Sequence, residues 1–317
     1  MQAPDSPEIL RFLGIVTRPQ LLASGTSRSE IASHVKDGSL LRLGRGVYAR
    51  ADLAEPFRKL SGGEQLLQAA AALAIIGADA VISHQSAAQL YGIDLVGKVP
   101  QITLTCRPER GWRNRTGIRL YAVDLPNAHQ TTASGVPMTT VARTVIDLAR
   151  TLDFKAGVVA ADSALHRKLT TKPELETVVA ALPRWPGIVK AAEVVAFADK
   201  RAESALESIA RVVFRDVGLP PPDLQVWLGG KVVPVGRVDF FWKKYRTVAE
   251  VDGALKYKDP IRARLQLKRD ALLRADEFEV VHFDWQDITK APDYVAELLW
   301  RAFRRGARTA SKRKTAM

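Results

Sequence analysis

Residues 236–257, "GRVDFFWKKYRTVAEVDGALKY", place Asp239, Glu250 and Asp252 inside runs of Val, Phe, Trp and Ala with the composition of strands. A carboxylate on a half-buried strand is costly unless something neutralises it. Side chains alternate faces along a strand, so Glu250 and Asp252 share one face about 7 Å apart, with Ala249 and Val251 on the other. A short turn at "KK" brings the preceding strand back and sets Asp239 beside them. Two readings stay open. The acids pair with Arg237, Lys243, Lys256 or Lys258 at a sheet edge, or they hold a cation, for which an oxygen-rich cluster suits Mg²⁺ or Mn²⁺.

Upstream, "RAESALESIARVVFRDVG" reads as a helix stopped by Gly218 and "LPPP", and it carries Glu207 one turn after Glu203. "DLQVWL", "KVVPVGRVDFFW" and "YRTVAEVDG" read as three strands. "DPIRARLQLKRDALLRAD" is a helix with Asp259 as N-cap and Pro260 at its first position. "FEVVHFDW" is a last strand with Trp285 as a core anchor, followed by a terminal helix through "YVAELLWRAFRR". The predicted order is α-β-β-β-α-β, and Glu207 is placed to join the strand acids. Such a patch suits metal-assisted attack of water on a phosphodiester.

The front of the chain has a different pattern. "PEILRFLGI", "TRPQLLASG" and "TSRSEIASHVKDG" predict three short helices, the second capped by Thr17 and stopped by Gly25. The third starts at Thr26 or Ser27, with Glu30 at the capping-box position and Ile31 and Val35 on one face. "SLLRLGRGVYAR" alternates around Gly44 and Gly46 as a two-stranded wing. Three helices and a wing make a winged helix-turn-helix, whose third helix enters the major groove. Ser27, Arg28 and Ser29 are then candidates for base contact, His34 and Lys36 for positioning, and Arg42 and Arg45 for a wing on the backbone or minor groove. The alternative is a winged helix used for protein contact, its charges a solvated face.

Between these ends, "ADLAEPFRKLSGG" reads as a polar break, residues 64–92 as helical, and "PQITLTCRP" and "GIRLYAVD" as strands of a middle αβ region. "GVPMTTVARTVIDLARTL" predicts a turn and an amphipathic helix burying Val141, Val145, Ile146 and Leu148. A further helix covers "FKAGVVAADSALHRK", and "LPRWPGIVK" marks a boundary. The expected organisation is α+β and multidomain: a winged helix-turn-helix over 1–60, a middle αβ domain over 61–195, an α-β-β-β-α-β domain over 196–305 and a basic tail over 306–317.

The chain has 317 residues, 47% hydrophobic and 26% charged, with formal net charge +13. That excess favours polyanions through counterion release, with double-stranded DNA as the expected partner. No apolar run reaches the ~18 residues of a membrane span and the start lacks a signal-peptide pattern, so a cytoplasmic protein without membrane contact is expected. Cys106 is the single cysteine, which excludes an internal disulfide and a cysteine-rich zinc site. No phosphate-loop, dinucleotide or zinc-protease motif occurs. His84 and Ser86 lie close in sequence, a pattern read as a cap or buried hydrogen bond rather than a nucleophile.

Through "SALES", "GLPPPDLQV", "GRVDFFW" and "AEVDG..KY", residues 198–290 resemble the PD-(D/E)xK nuclease fold, specifically the domain of unknown function related to very-short-patch-repair endonucleases. The resemblance implies Glu207 as the helix acid, Asp239 as first metal ligand and Glu250 as second, with Gln225 orienting the phosphate. The family's lysine two residues after the glutamate is here Asp252. Lys256 is the nearest replacement. Through "LLASGTSRSEIASHVKDGSLLRLGRGVYA", "ISHQSAAQLYGI" and "GVPMTTVARTVIDLAR", the front and middle resemble AbiEi-family antitoxins. That resemblance implies a repressor opposing a nucleotidyltransferase toxin. Three functions follow: a DNA-binding antitoxin or repressor with a nuclease-fold rear domain, an active Mg²⁺-dependent endonuclease, or a toxin-binding interaction protein.

Overall fold

A computed structural model describes residues 8–77, 79–108, 116–133, 135–229, 234–252 and 260–315. Its internal contacts divide the chain into two compact units, 1–152 with 169–193, and 153–168 with 194–317.

The front unit opens with α1 (Glu8–Phe12), β1 (Ile15–Thr17), α2 (Arg18–Ala23), α3 (Arg28–Lys36), β2 (Leu40–Gly44) and β3 (Val47–Arg50). Local capping starts the helices as predicted. Gln20 Oε1 accepts from Thr17 N at 2.7 Å, and Ser27 Oγ accepts from Glu30 N while the Glu30 carboxylate accepts from Ser27 N. The first predicted helix is shorter than its sequence suggested. It ends at Phe12, and Ile15–Thr17 pairs with β3 to make a three-stranded sheet in the order β1-β3-β2.

The segment read as a polar break is instead helix α4 (Ala51–Arg58). Its apolar residues recur at helical spacing: Ala54 is buried, and Phe57 meets Phe12 edge to face at 5.1 Å. The helical reading of 64–92 also needs correcting. α5 (Gly63–Ile76) stops at Gly77, β4 (Ala80–Ile82) follows as a buried strand, and α6 (His84–Tyr91) comes after it. A three-residue apolar run cannot be told from helix by periodicity, and sheet pairing decides it.

β5 (Ile102–Cys106), β6 (Ile118–Ala122), β7 (Gln130–Ala133) and β8 (Val136–Thr139) complete a five-stranded mixed sheet, ordered β6-β5-β4-β8-β7, and lead into α7 (Val141–Thr151). Leu13, Ile15 and Val47 share one core with Leu67, Leu73, Ile82, Leu104 and Met138. The winged helix and the middle region, expected as separate domains, therefore pack as one body. α8 (Phe154–His166) belongs to the rear unit, α9 (Lys172–Ala180) to the front, and α10 (Ile188–Phe197) carries the second crossing.

The rear unit continues with α11 (Ala205–Asp216), β9 (Asp223–Gly229), β10 (Pro234–Trp242), β11 (Thr247–Asp252), α12 (Pro260–Ala275), β12 (Glu279–Asp284), α13 (Trp285–Lys290) and α14 (Pro292–Thr315). The α-β-β-β-α-β order is as predicted. The sheet runs β12-β11-β10-β9, antiparallel except for the β11–β12 pair. α11 and α14 cover one face through Phe214, Phe240, Trp242, Leu299 and Phe303. Leu273 of α12 packs with Val238, Phe241 and Val248 on the other.

Two expectations change here. Trp285 is 45% exposed, a helix-start residue rather than a core anchor. The basic segment 306–315 continues α14, anchored by Gly306, where an added Cβ would lie 1.8 Å from Tyr245 O. Asp259 and Lys256 lie outside the described residues. Among the described residues no helix is long and apolar enough to cross a membrane.

Candidate functional site

The antiparallel ladder between β10 and β11 pairs Phe240 with Ala249, and the same register carried one step further sets Asp239 opposite Glu250. There the strands part. Asp239 Oδ2 accepts from Val251 N at 3.1 Å, a side chain taking the place of a ladder bond. Gln225, on β9 with φ +54°, donates its amide to Glu207 Oε2 at 2.8 Å and to Asp239 Oδ1 at 3.4 Å. Glu207 also caps α11, accepting from Glu203 N and Ser204 Oγ. Burial first, and the Asp239 charge second, push the Glu207 carboxyl above its usual range.

Glu250 has different company. Arg269 of α12 reaches across the sheet, with Nη2 2.5 Å from Glu250 Oε1 and Nη1 donating to Oε2 at 3.3 Å. Arg269 Nη2 also donates to the Arg237 carbonyl, and Gly236, at φ +123°, leaves room for the guanidinium, whose Nε would lie 3.4 Å from an added Cβ. Gln266 donates to Glu250 Oε2 at 2.9 Å and to Asp270 Oδ1 at 3.1 Å. Burial raises the Glu250 pKa; Arg269 opposes that rise and the Asp239 charge adds to it.

Asp252, predicted to join the cluster, turns to His282, whose Nδ1 is 3.0 Å away and whose Nε2 meets Asp270 Oδ2 at 2.9 Å. The bond to Asp252 raises the His282 pKa most, against burial. Of the predicted acids, then, the structure joins Glu207 and Asp239 through Gln225, pairs Glu250 with Arg269 and sets Asp252 against His282. Among the described residues no three acids, histidines or cysteines converge tightly enough to hold a metal by themselves. Arg269, Gln266 and His282 escaped the sequence reading. The one signal was His282, a polar residue in the apolar run "EVVHFD", opposite Glu250 across the parallel pair.

On the front unit, α3 presents Arg28, Ser29, His34 and Lys36 to solvent, with Ile31 buried beneath. Ser27 is spent on the helix start: its Oγ takes Glu30 N and lies 3.0 Å from Ser29 Oγ. His34 Nδ1 lies 3.0 Å from Ser39 Oγ and 3.7 Å from Asp37. Arg42 and Arg45 are exposed on the wing, Arg42 in β2 and Arg45 at its turn.

His84 opens α6 at φ +49° and is buried. Its Nδ1 lies 3.0 Å from Ser83 Oγ, its ring stacks on Tyr121 at 3.6 Å, and among the described residues Nε2 has no hydrogen-bond partner. Ser86 exchanges hydrogen bonds with Thr103 instead, so His84 and Ser86 make no catalytic pair. Burial holds the His84 pKa down at about 4, and the charges of Arg150, Arg143 and Arg119 add to that, against Asp147. Nearby, Arg143 Nε donates to Asp147 Oδ2 at 2.8 Å and Arg150 Nη2 to Asp147 Oδ1 at 3.2 Å.

Residues 7–51 match the family model described as "Transcriptional regulator, AbiEi antitoxin". Two proteins of Mycobacterium tuberculosis, "Uncharacterized protein MT2308" of strain CDC 1551 / Oshkosh and "Uncharacterized protein Rv2248" of strain ATCC 25618 / H37Rv, are each 33% identical over 276 residues, 87% of this chain and 96% of the relative.

Proposed function

The chain belongs to one family with these two mycobacterial proteins, and from that premise we propose that it is a DNA-binding transcriptional regulator of antitoxin type. The observation that carries this reading is the winged helix-turn-helix at residues 8–50, coincident with the segment that matches the antitoxin regulator model. Its third helix is tied at its start by Ser27 and Glu30, and exposes Arg28 and Lys36 toward a groove. Binding to duplex DNA should weaken steeply with salt, the log–log slope growing by about 0.9 per phosphate neutralised. Arg28→Ala is expected to cost roughly 1–3 kcal/mol at one base position, and Lys36→Ala to weaken all sequences alike. A fluorescence titration of the full chain with a slope near zero would remove the DNA reading. Equal losses on every sequence for Arg28→Ala would move base recognition off α3. Within the same reading, a nucleotidyltransferase toxin is the proposed protein partner, testable by co-purification with the product of an adjacent gene of that kind.

A second reading takes the rear unit as a PD-(D/E)xK-type fold that binds Mg²⁺ or Mn²⁺, with cleavage of DNA as its strongest form. One observation favours it: the Gln225 amide lies 2.8 Å from the buried Glu207 carboxylate and 3.4 Å from that of Asp239, and after burial the Asp239 charge is a further cause that pushes Glu207 and Glu250 upward, a crowding of charge that a cation relieves. Glu207 and Asp239 fit such an ion as a pair of carboxylates. A half-turn of the Gln225 amide would add a carbonyl oxygen, and Mg²⁺ ordinarily keeps water on its remaining positions. Bound there, the ion would supply charge stabilisation to a phosphate. Glu250 enters that set only by releasing Arg269. Millimolar Mn²⁺ should raise the melting temperature of the full chain at pH 7, and Asp239→Asn should remove the rise while leaving the fold intact. A melting curve indifferent to both ions, with plasmid left uncut, would make the acids a structural network only.

A further inference from the structure

The charge of the rear sequence is unevenly placed. Residues 194–300 carry 17 Lys and Arg against 17 Asp and Glu, whereas residues 301–314, "RAFRRGARTASKRK", carry seven Lys and Arg and no acid. In the structure this segment is the second half of α14 rather than a loose tail. One face of the helix is built into the core through Val295, Leu299, Ala302 and Phe303, where Phe303 stacks on Tyr245 at 4.4 Å. The outer face exposes Arg301, Arg304, Arg305 and Arg308, which recur at helical spacing. Arg301 pairs with Glu297 of the same helix and Arg305 with Glu279 at 2.8 Å. Among the described residues Arg304 and Arg308 make no ion pair. A second element adds to this face. The 3-10 turn Lys243–Tyr245, between β10 and β11, exposes Lys243 and Lys244, neither of them in an ion pair among the described residues. Lys244 Nζ lies 5.4 Å from the ring centroid of Tyr245, the same ring that stacks on Phe303.

Self-repulsion makes such a face costly, because Arg301 and Arg305, and likewise Arg304 and Arg308, are like charges four residues apart. The helix dipole does not account for it: its pull on a cation is confined to the last turn, and all four arginines lie about two turns or more before Thr315. A polyanion relieves the repulsion and gains by counterion release. A lipid surface fits less well, since the apolar face that would enter a bilayer is already buried. We propose that the outer face of α14, with Lys243 and Lys244, is a second nucleic-acid surface, which holds the phosphate backbone of duplex DNA without reading its sequence. It is separate from the acidic row. Tyr245 precedes Thr247 at the start of β11, and Glu250 lies about 10 Å further along that strand. The surface therefore adds phosphate contacts that neither the winged helix nor a metal at Asp239 supplies. The choice of DNA over RNA rests on the regulator reading; the phosphate-binding surface does not.

The test is salt-dependent binding of the full chain to a short fluorescent duplex of arbitrary sequence. Arg304→Gln with Arg308→Gln removes two exposed, unpaired charges, so the melting temperature should hold. The log–log slope should fall by about 1.8, and every sequence should be weakened alike, roughly tenfold at physiological salt. Lys243→Gln with Lys244→Gln should act in the same direction through a different element. As a control, Lys200→Gln with Lys290→Gln removes the same charge from exposed positions elsewhere in the rear unit, and should leave the slope nearly unchanged. A slope unmoved by the α14 pair, or moved equally by the control pair, overturns the surface. Duplex RNA of the same length bound more tightly than DNA, and weakened by the same α14 pair, overturns the choice of DNA. The regulator reading fails by a different result: the α14 effect intact while Arg28→Ala and Lys36→Ala change nothing.

Discussion

Arg269→Met is expected to destabilise the rear unit by about 3 kcal/mol at pH 7. The Glu250 side chain is 2% exposed and Arg269 is the cation that crosses from α12 to meet it. Removing the arginine strands a buried carboxylate that, among the described residues, keeps a hydrogen bond from Gln266 alone, and also frees the Arg237 carbonyl. The loss should shrink on acidification. Burial already raises the Glu250 pKa, and without Arg269 it rises further, so the folded state takes up the proton more readily as the pH falls. Urea denaturation of the full chain at pH 7 and pH 5, with region-resolved hydrogen exchange over 205–252, measures both. A pH-independent loss would trace the effect to packing of the arginine stem rather than to the stranded charge. The variant also separates the two readings of the acids, since freeing Glu250 should strengthen Mn²⁺ binding if the row is a metal site.

The second large effect is acid sensitivity of the front unit through His84. Its folded pKa of about 4 lies below the unfolded value of about 6.5, so between those limits the unfolded chain takes up a proton that the folded chain refuses. Stability is therefore full above pH 6.5 and falls as the pH drops, by about 3 kcal/mol by pH 4, then levels off. His129, whose pKa is also lowered by burial, adds in the same direction. His84→Asn keeps a side chain tolerant of the positive φ and should flatten the profile. The rear unit should respond the other way. The raised pKa of His282 gives stability that is present below pH 6.5 and lost as the pH rises through its folded value. The raised Glu207 and Glu250 likewise favour the folded form as they protonate. Hydrogen exchange at pH 7 and pH 5 should show protection falling over 84–150 and holding over 205–284. Equal acid loss in both regions would mean that the two units open as one, or that His84 is not the titrating group.

Sequence alone determined what is set within a few residues. Ser27 and Glu30 lie three apart and close their capping box without reference to the rest of the chain, and strand alternation put Glu250 and Asp252 on one face. The α-β-β-β-α-β order and the winged helix were legible for the same reason. Tertiary structure decided which partner each charge takes. Arg269 lies 19 residues from Glu250 and His282 lies 30 from Asp252, so no local period links them. It also decided that α4 is helix, because Phe57 finds Phe12, and that β4 interrupts a helical pattern, because its neighbours are β5 and β8. Local hydrogen bonds and side-chain periods follow from backbone geometry that every short segment carries with it. Ion pairing and strand pairing depend on which distant segments the core brings together.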